Sequence, residues 1–200
     1  MATRKPNNFQ RFRELSDRQQ QLAATILIER MFPNYQLFSE VTPFGDVHIF
    51  RSLLDLLWEK LAKPSTKIDF DKQSEKFEPI IPELNHFDMM GIYPAIDSCT
   101  AVISLIAGIE TKESRYFLDV AKVSQATVSK IIEISLAEEG EDPENINVRD
   151  HELMQYEMAW LGELLDEVES VGKITTADIK GFKAFALKDG ITNIGLDIGE

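Results

Sequence analysis

The chain has 200 residues, one cysteine and a formal net charge of -13. That length fits a single domain over residues 1–200 and is enough to remove roughly 70% of the unfolded surface from water, so no metal or disulfide staple is needed. The lone Cys99 excludes an intrachain disulfide and suits a reducing compartment.

The charge is uneven. Residues 1–30 hold six Lys/Arg against three Asp/Glu, whereas residues 138–169 hold twelve acids against one base, Arg149. Nucleic-acid binding rests on Lys and Arg neutralising phosphates, so nucleic acid is not the expected ligand, and the acidic surface is expected to serve solubility. Arg4 and Lys5 are followed by Gln- and Arg-rich sequence rather than the apolar core of a signal peptide. The expected location is the cytoplasm.

Ser16 with Gln19 forms a capping box that opens a helix running to about Phe32, where Pro33 and Asn34 are expected to break it. A short segment from Tyr35 reaches Pro43. Phe44-Gly45-Asp46 then makes a turn, with Asp46 a suitable N-cap. The next helix spans about Val47 to Ala62, and its Ile49, Phe50, Leu53, Leu54, Leu57, Trp58 and Leu61 fall on one face. Asp69 caps a shorter helix from Phe70 to about Glu78, ended by Pro79 and Pro82.

From Met89 to Ile109 the chain runs 21 residues with a single charge, Asp97. A membrane span needs about 20 apolar residues, but Gly91 and Pro94 interrupt the first part, so the segment reads as the central helix of a soluble bundle and no membrane is expected. Pro94 suits the first helical position. Thr111 separates this helix from one over about Lys112 to Ala137, closed near Gly140, and an acidic loop, Glu138 to Asn147, follows. A helix from about Val148 to Val171 precedes Gly172, and Thr175 or Thr176 caps the last, Ala177 to Lys188, with Gly190 in its left-handed turn. The tail from Ile191 to Glu200 reads as an extended arm whose apolar residues pack on the bundle or on a second subunit. The expected fold is all-α, an antiparallel up-and-down helical bundle of about seven helices with an extended C-terminal arm.

Asp97 is the leading candidate for chemistry. At 100° per residue it shares a stripe with Tyr93, Thr100, Ser104 and Gly108, opposite Ile92, Ile96, Cys99, Val102, Ile103, Ile106 and Ile109. Enclosed, its carboxylate would cost several kcal/mol unless met by a cation or donors, which marks functional sites; one turn into a helix, it is also simply favoured by the dipole. Tyr35, Asp46, Tyr93 and Asp97 form the candidate ligand-binding set, where several helix starts converge. Helix N-termini favour anions, although two carboxylates oppose one.

Glu83-x-x-His86 matches half of a di-iron bundle pattern, but neither His48 nor His151 has an acid three residues before it. Asp142, Glu144, Asn145 and Asn147 lack the order of a calcium loop. With no Gly-rich phosphate loop, Gly-x-Ser-x-Gly elbow or Cys-centred nucleophile, no catalytic residue, metal site or cofactor is assigned. Trp58 and Trp160 read as core, while Met154, Met158, Trp160 and Leu161, framed by acids, read as core or as a partner-facing seam.

The pieces ERMFPNY at Glu29 to Tyr35, FGD at Phe44 to Asp46, LLDLLWE at Leu53 to Glu59, YPAID at Tyr93 to Asp97 and NIG at Asn193 to Gly195 span nearly the whole chain. On them the sequence resembles the YjaG-like family of uncharacterised bacterial proteins. The resemblance implies a compact, all-helical cytoplasmic protein and carries no catalytic residues with it. The expected function is a non-catalytic binding or protein-interaction module, a homodimer or a partner of another protein, using an apolar helix face or the arm. The alternative is an enzyme or small-ligand binder with a pocket around Tyr93 and Asp97.

Overall fold

A computed structural model describes residues 7–141 and 147–199. They form eight α-helices: α1 Asn8–Glu14, α2 Asp17–Val41, α3 Val47–Ala62, α4 Phe70–Phe77, α5 Ile92–Thr111, α6 Arg115–Glu138, α7 Glu152–Glu169 and α8 Thr176–Ala186, with short 3-10 turns at Glu78–Ile80, Leu84–His86 and Val148–Asp150. The fold is an all-α helical bundle, and among the described residues the sole β-type pairing is the isolated Ile191–Asp197 bridge. Arg4, Lys5, Asp142, Glu144 and Asn145 lie outside the described residues.

Local chemistry sets most helix starts. The Ser16–Gln19 box opens α2, Asp46 accepts from the amides of His48 at 2.8 Å and Ile49 at 3.2 Å to open α3, and Asp69 accepts from Lys72 N at 3.1 Å. Thr175 and Asp178 cap α8 reciprocally. Each such cap contributes about 1 kcal/mol. An Asn7–Gln10 box of the same kind opens α1, a helix the sequence reading does not anticipate.

Pro33 does not end its helix: α2 continues through it to Val41. A proline inside a helix costs about 3 kcal/mol, because it donates nothing to the carbonyl four residues back and crowds it. Beyond Pro33, however, α2 buries Tyr35 and Phe38, and fully burying each large side chain returns about 1.5–3 kcal/mol. Packing therefore outweighs the local break. Nor is α5 the centre. From Gln20 to Tyr35 every residue of α2 except Pro33 is buried, and α2 packs against α3, α5, α6, α7 and α8. A helix enclosed all round has no polar face, which is why periodicity does not mark it as the hub.

The helix α5 is long and apolar enough to cross a membrane by length and composition alone; here it packs between α2 and α6. Its start lies at Ile92, so Pro94 occupies the third position, where its missing amide is again no loss. The buried face is shifted from the expected one: Ser98 is fully buried, donating to the carbonyls of Met31 at 3.0 Å and Pro94 at 2.7 Å, while Ile103 is exposed. Met154, Trp160 and Leu161 on α7 are core within the chain, and Met158 beside them is partly buried.

The tail is non-helical and packs on the bundle. Gly190 and Gly195 adopt positive φ, and Thr192 N donates to Leu196 O at 2.9 Å and Ile198 N to Gly190 O at 3.1 Å, turning the segment back on itself. What it sinks deepest is polar: Thr192 and Asn193 are fully buried, whereas Ile191, Ile194, Leu196 and Ile198 are only partly so.

Candidate functional site

Two side-chain networks flank α2. On one side Arg30, with no exposed surface, forms an ion pair with the equally enclosed Glu157 of α7, and its guanidinium lies 4.1 Å from the centre of the Trp160 ring. Ser124 of α6 donates to Glu157 Oε1 at 2.6 Å. The tail completes the network: Asn193 Nδ2 donates to Ser124 O at 3.3 Å and Oγ at 3.2 Å, and Asn34 Nδ2 donates to Asn193 Oδ1 at 2.8 Å. Burial pushes the Glu157 carboxyl up, while Arg30 and the Ser124 hydrogen bond pull it down. Nearby, burial and then the hydrogen bond to Asp189 push the Tyr156 phenol up to about 12.

On the other side Glu29 accepts from Arg51 Nη1 at 2.7 Å and Nη2 at 3.0 Å and from Trp58 Nε1 at 2.7 Å. Arg51 and Lys183 both reach Asp55, so this network ties α3 to α2 and α8. In both, the central carboxylate is met by donors from the chain itself.

The four candidate residues fall into two pairs. The buried Tyr35 hydroxyl donates to Ile80 O at 2.9 Å and accepts from Asp46 N at 3.2 Å. Between them Gly45 has φ 90, and a Cβ there would lie 2.5 Å from the Tyr35 hydroxyl, so only glycine allows this approach. Tyr93 lies beneath the Lys130 ammonium, 5.3 Å from its ring centre. One turn on, the partly buried Asp97 accepts from Thr127 Oγ1 at 2.7 Å. No side-chain hydrogen bond joins one pair to the other among the described residues. Glu83 and His86 are exposed, 3.8 Å apart, and no third ligand joins them in a metal-binding cluster among the described residues.

Burial raises the Asp97 carboxyl above its ordinary range, against the pull of Thr127. A raised carboxyl means that the fold favours the neutral form, so this stabilising contribution is held at low pH and lost as pH rises through the folded value. Asp97→Asn, which stays neutral and can still accept from Thr127, is therefore expected to match the wild type near about pH 4 and to melt higher by about pH 7. Thermal unfolding across that range checks this; a constant offset would show that burial does not govern Asp97.

The concave apolar surface lies elsewhere. The last turns of α2 (Asn34, Leu37, Phe38, Val41), the residues entering α5 (Met89, Met90, Gly91, Pro94), Ile131 of α6 and the tail (Ile194, Gly195, Leu196) enclose a cleft of about 560 Å³. No charged side chain lines it, and none of the four candidate residues does. Leu37, Val41, Met89 and Met90 are 36 to 58% exposed. A larger groove of about 720 Å³, lined by Lys122, Gln125, Ser129 and Arg149 beside Phe9, Met154 and Met158, contains none of these exposed apolar side chains. The cleft is therefore the stronger candidate. Sequence reasoning misses it because Asn34 reads as a helix breaker; the adjacent Met89-Met90 before Gly91 is the one available hint.

Segments that carry the resemblance meet here: Glu29 to Tyr35 supplies Arg30 and Asn34, and Asn193 to Gly195 supplies the tail partner of Asn34 and part of the cleft wall. Fold and site together define an all-α helical-bundle protein with a concave apolar face.

The chain belongs to the DUF416 family, proteins of unknown function, whose family model matches residues 7–197. It is 37% identical over 172 residues to the uncharacterised protein YjaG of Escherichia coli (strain K12), covering 85% of this chain and 86% of that protein. To an uncharacterised protein of Haemophilus influenzae it is 30% identical over 175 residues, covering 86% of this chain and 87% of that protein. The crystal structure of a DUF416 family protein from Shewanella baltica OS155 is similar, with a TM-score of 0.87 and 34% identity over 97% of this chain and 100% of that one.

Proposed function

We propose that this protein is a non-catalytic binding module whose working surface is the cleft between the end of α2, the start of α5 and the tail. The observation that carries the proposal is the gathering of Leu37, Val41, Met89 and Met90 at one concavity. Clustered exposed apolar side chains mark interaction sites, and about 560 Å³ falls within the size range of small-molecule sites. Methionine, unbranched and polarisable, adapts to irregular ligands. An apolar group giving up roughly 150 Å² to the cleft gains about 4 kcal/mol, which before losses corresponds to a Kd of about 1 mM.

Nile red, a neutral polarity-sensitive dye, tests this. Its emission is expected to brighten and shift to the blue with the wild type and to do neither with Val41→Glu or Met90→Glu. Both positions are exposed, so stability should stay within about 0.5 kcal/mol. Equal dye binding by all three proteins would refute the cleft as the site.

A second copy of the chain is the other reading, favoured by the exposed rim of Leu37 and Val41, which a compact ligand would leave partly uncovered. Light scattering at tens of micromolar separates the two. A dimer that Val41→Glu converts to monomer supports self-association; monomer throughout leaves the small ligand. A pocket centred on Tyr93 and Asp97 draws its support from one partly buried carboxylate and is the weaker alternative.

A further inference from the structure

We infer a second binding site, independent of the cleft: the groove of about 720 Å³ between α1, α6 and α7 takes an apolar molecule that carries one carboxylate. It shares no lining residue with the cleft. One side is cationic, with Lys122 of α6 and Arg149 of the turn before α7, and among the described residues no acid lines it. The chain has a net charge of -13, and Arg149 is the one base against twelve acids over residues 138–169, so this sign runs against its surroundings. Acidic surface repels anions, and a local positive wall marks where one can rest.

The polar groups are within reach and uncommitted. Arg149 is exposed, and its hydrogen bonds among the described residues come from its backbone alone. Its neighbour Asp150 accepts from Asn147 Nδ2 at 2.8 Å instead. Lys122, half-exposed, pairs with Asp119 at 2.6 Å, so its charge is balanced while its other N–H donors stay available. The wall therefore holds one uncompensated positive charge, which matches a monoanion, and the planar fork of Arg149 fits the two oxygens of a carboxylate. Gln125 of α6, partly exposed, adds an amide donor to the same wall. The floor is apolar, formed by Phe9, Met154 and Met158. Both methionines belong to a small cluster with Val128, Ile132 and Leu136 that is separate from the main core. An apolar body laid over them thickens that cluster, and unbranched methionines adapt to its shape.

2-Naphthoate and 2-naphthamide are the probes, since they share a ring system and differ in the charge of one group. With the full chain at low salt and about pH 7, titration calorimetry is expected to show naphthoate binding about ten-fold more tightly, the difference a charge-assisted pair supplies. Arg149→Gln should bring the two within about two-fold, and Lys122→Gln should weaken naphthoate by a smaller factor. Both positions are exposed, so the fold should be unaffected. In methyl NMR spectra, saturating naphthoate should move the Met154 and Met158 signals and leave those of Met89 and Met90 in place. Equal binding of the probes, a naphthoate preference that survives Arg149→Gln, shifts confined to Met89 and Met90, or no naphthoate binding would each overturn the site. None of these results bears on Nile red in the cleft, and Val41→Glu, which tests the cleft, should leave naphthoate binding unchanged.

Discussion

Glu157→Ala is expected to lower the stability of the fold by about 3–5 kcal/mol, because it leaves the Arg30 guanidinium enclosed without a counter-charge. For a chain of this length that is a fall in Tm of roughly 6–20 °C. Ser124 loses its acceptor at the same time. The ion pair is not expected to be worth that amount in itself: desolvating both ions offsets much of their attraction. Arg30→Met combined with Glu157→Leu should therefore recover most of the loss, and urea unfolding of Glu157→Ala and of the double variant measures it. A loss below about 1 kcal/mol for Glu157→Ala would place the pair in water rather than in the core.

Trp58→Ala should cost about as much, 3–5 kcal/mol, by a different route. Trp58 is buried in α3, its ring parallel to that of Phe182 with centres 6.5 Å apart, and its Nε1 is one of the donors satisfying Glu29. Alanine opens a cavity against α8 and strips the carboxylate of a donor together. Trp58→Phe separates the effects: most of the volume remains and only the donor goes, for an expected cost of about 1–3 kcal/mol. Equal costs for the two variants would mean that the indole nitrogen, rather than the packing, carries the contribution.

How far the sequence reveals this architecture depends on the range of the interactions. Ser16, Asp46, Asp69 and Thr175 are legible as helix starts because a cap is settled within four residues. Asn7 and Gln10 present the same signal, yet lie close to the start of the chain and ahead of the stronger Ser16 box. Pro33 misleads because the local rule is right about its cost and silent about Tyr35 and Phe38, whose burial offsets it. Arg30 and Glu157 are invisible for a related reason. Each sits in a helix among other charges, and nothing local distinguishes a carboxylate meeting a guanidinium 127 residues away from one facing water. The candidate site was legible only at its edge. Tyr93 and Asp97 flank Pro94, which lines the cleft, but the cleft itself needs α2 to continue past Pro33 and the tail to fold back, and both are tertiary outcomes.

The closing of the Arg30 network by the tail also has a consequence in time. Arg30 waits 127 residues for Glu157, and Asn34 waits 159 for Asn193. At about 5–20 residues per second, the first delay alone is roughly 6–25 s of translation. The neutralising partner of Arg30 thus arrives long after α2 has been made, and the nascent chain must keep that arginine hydrated until α7 has emerged.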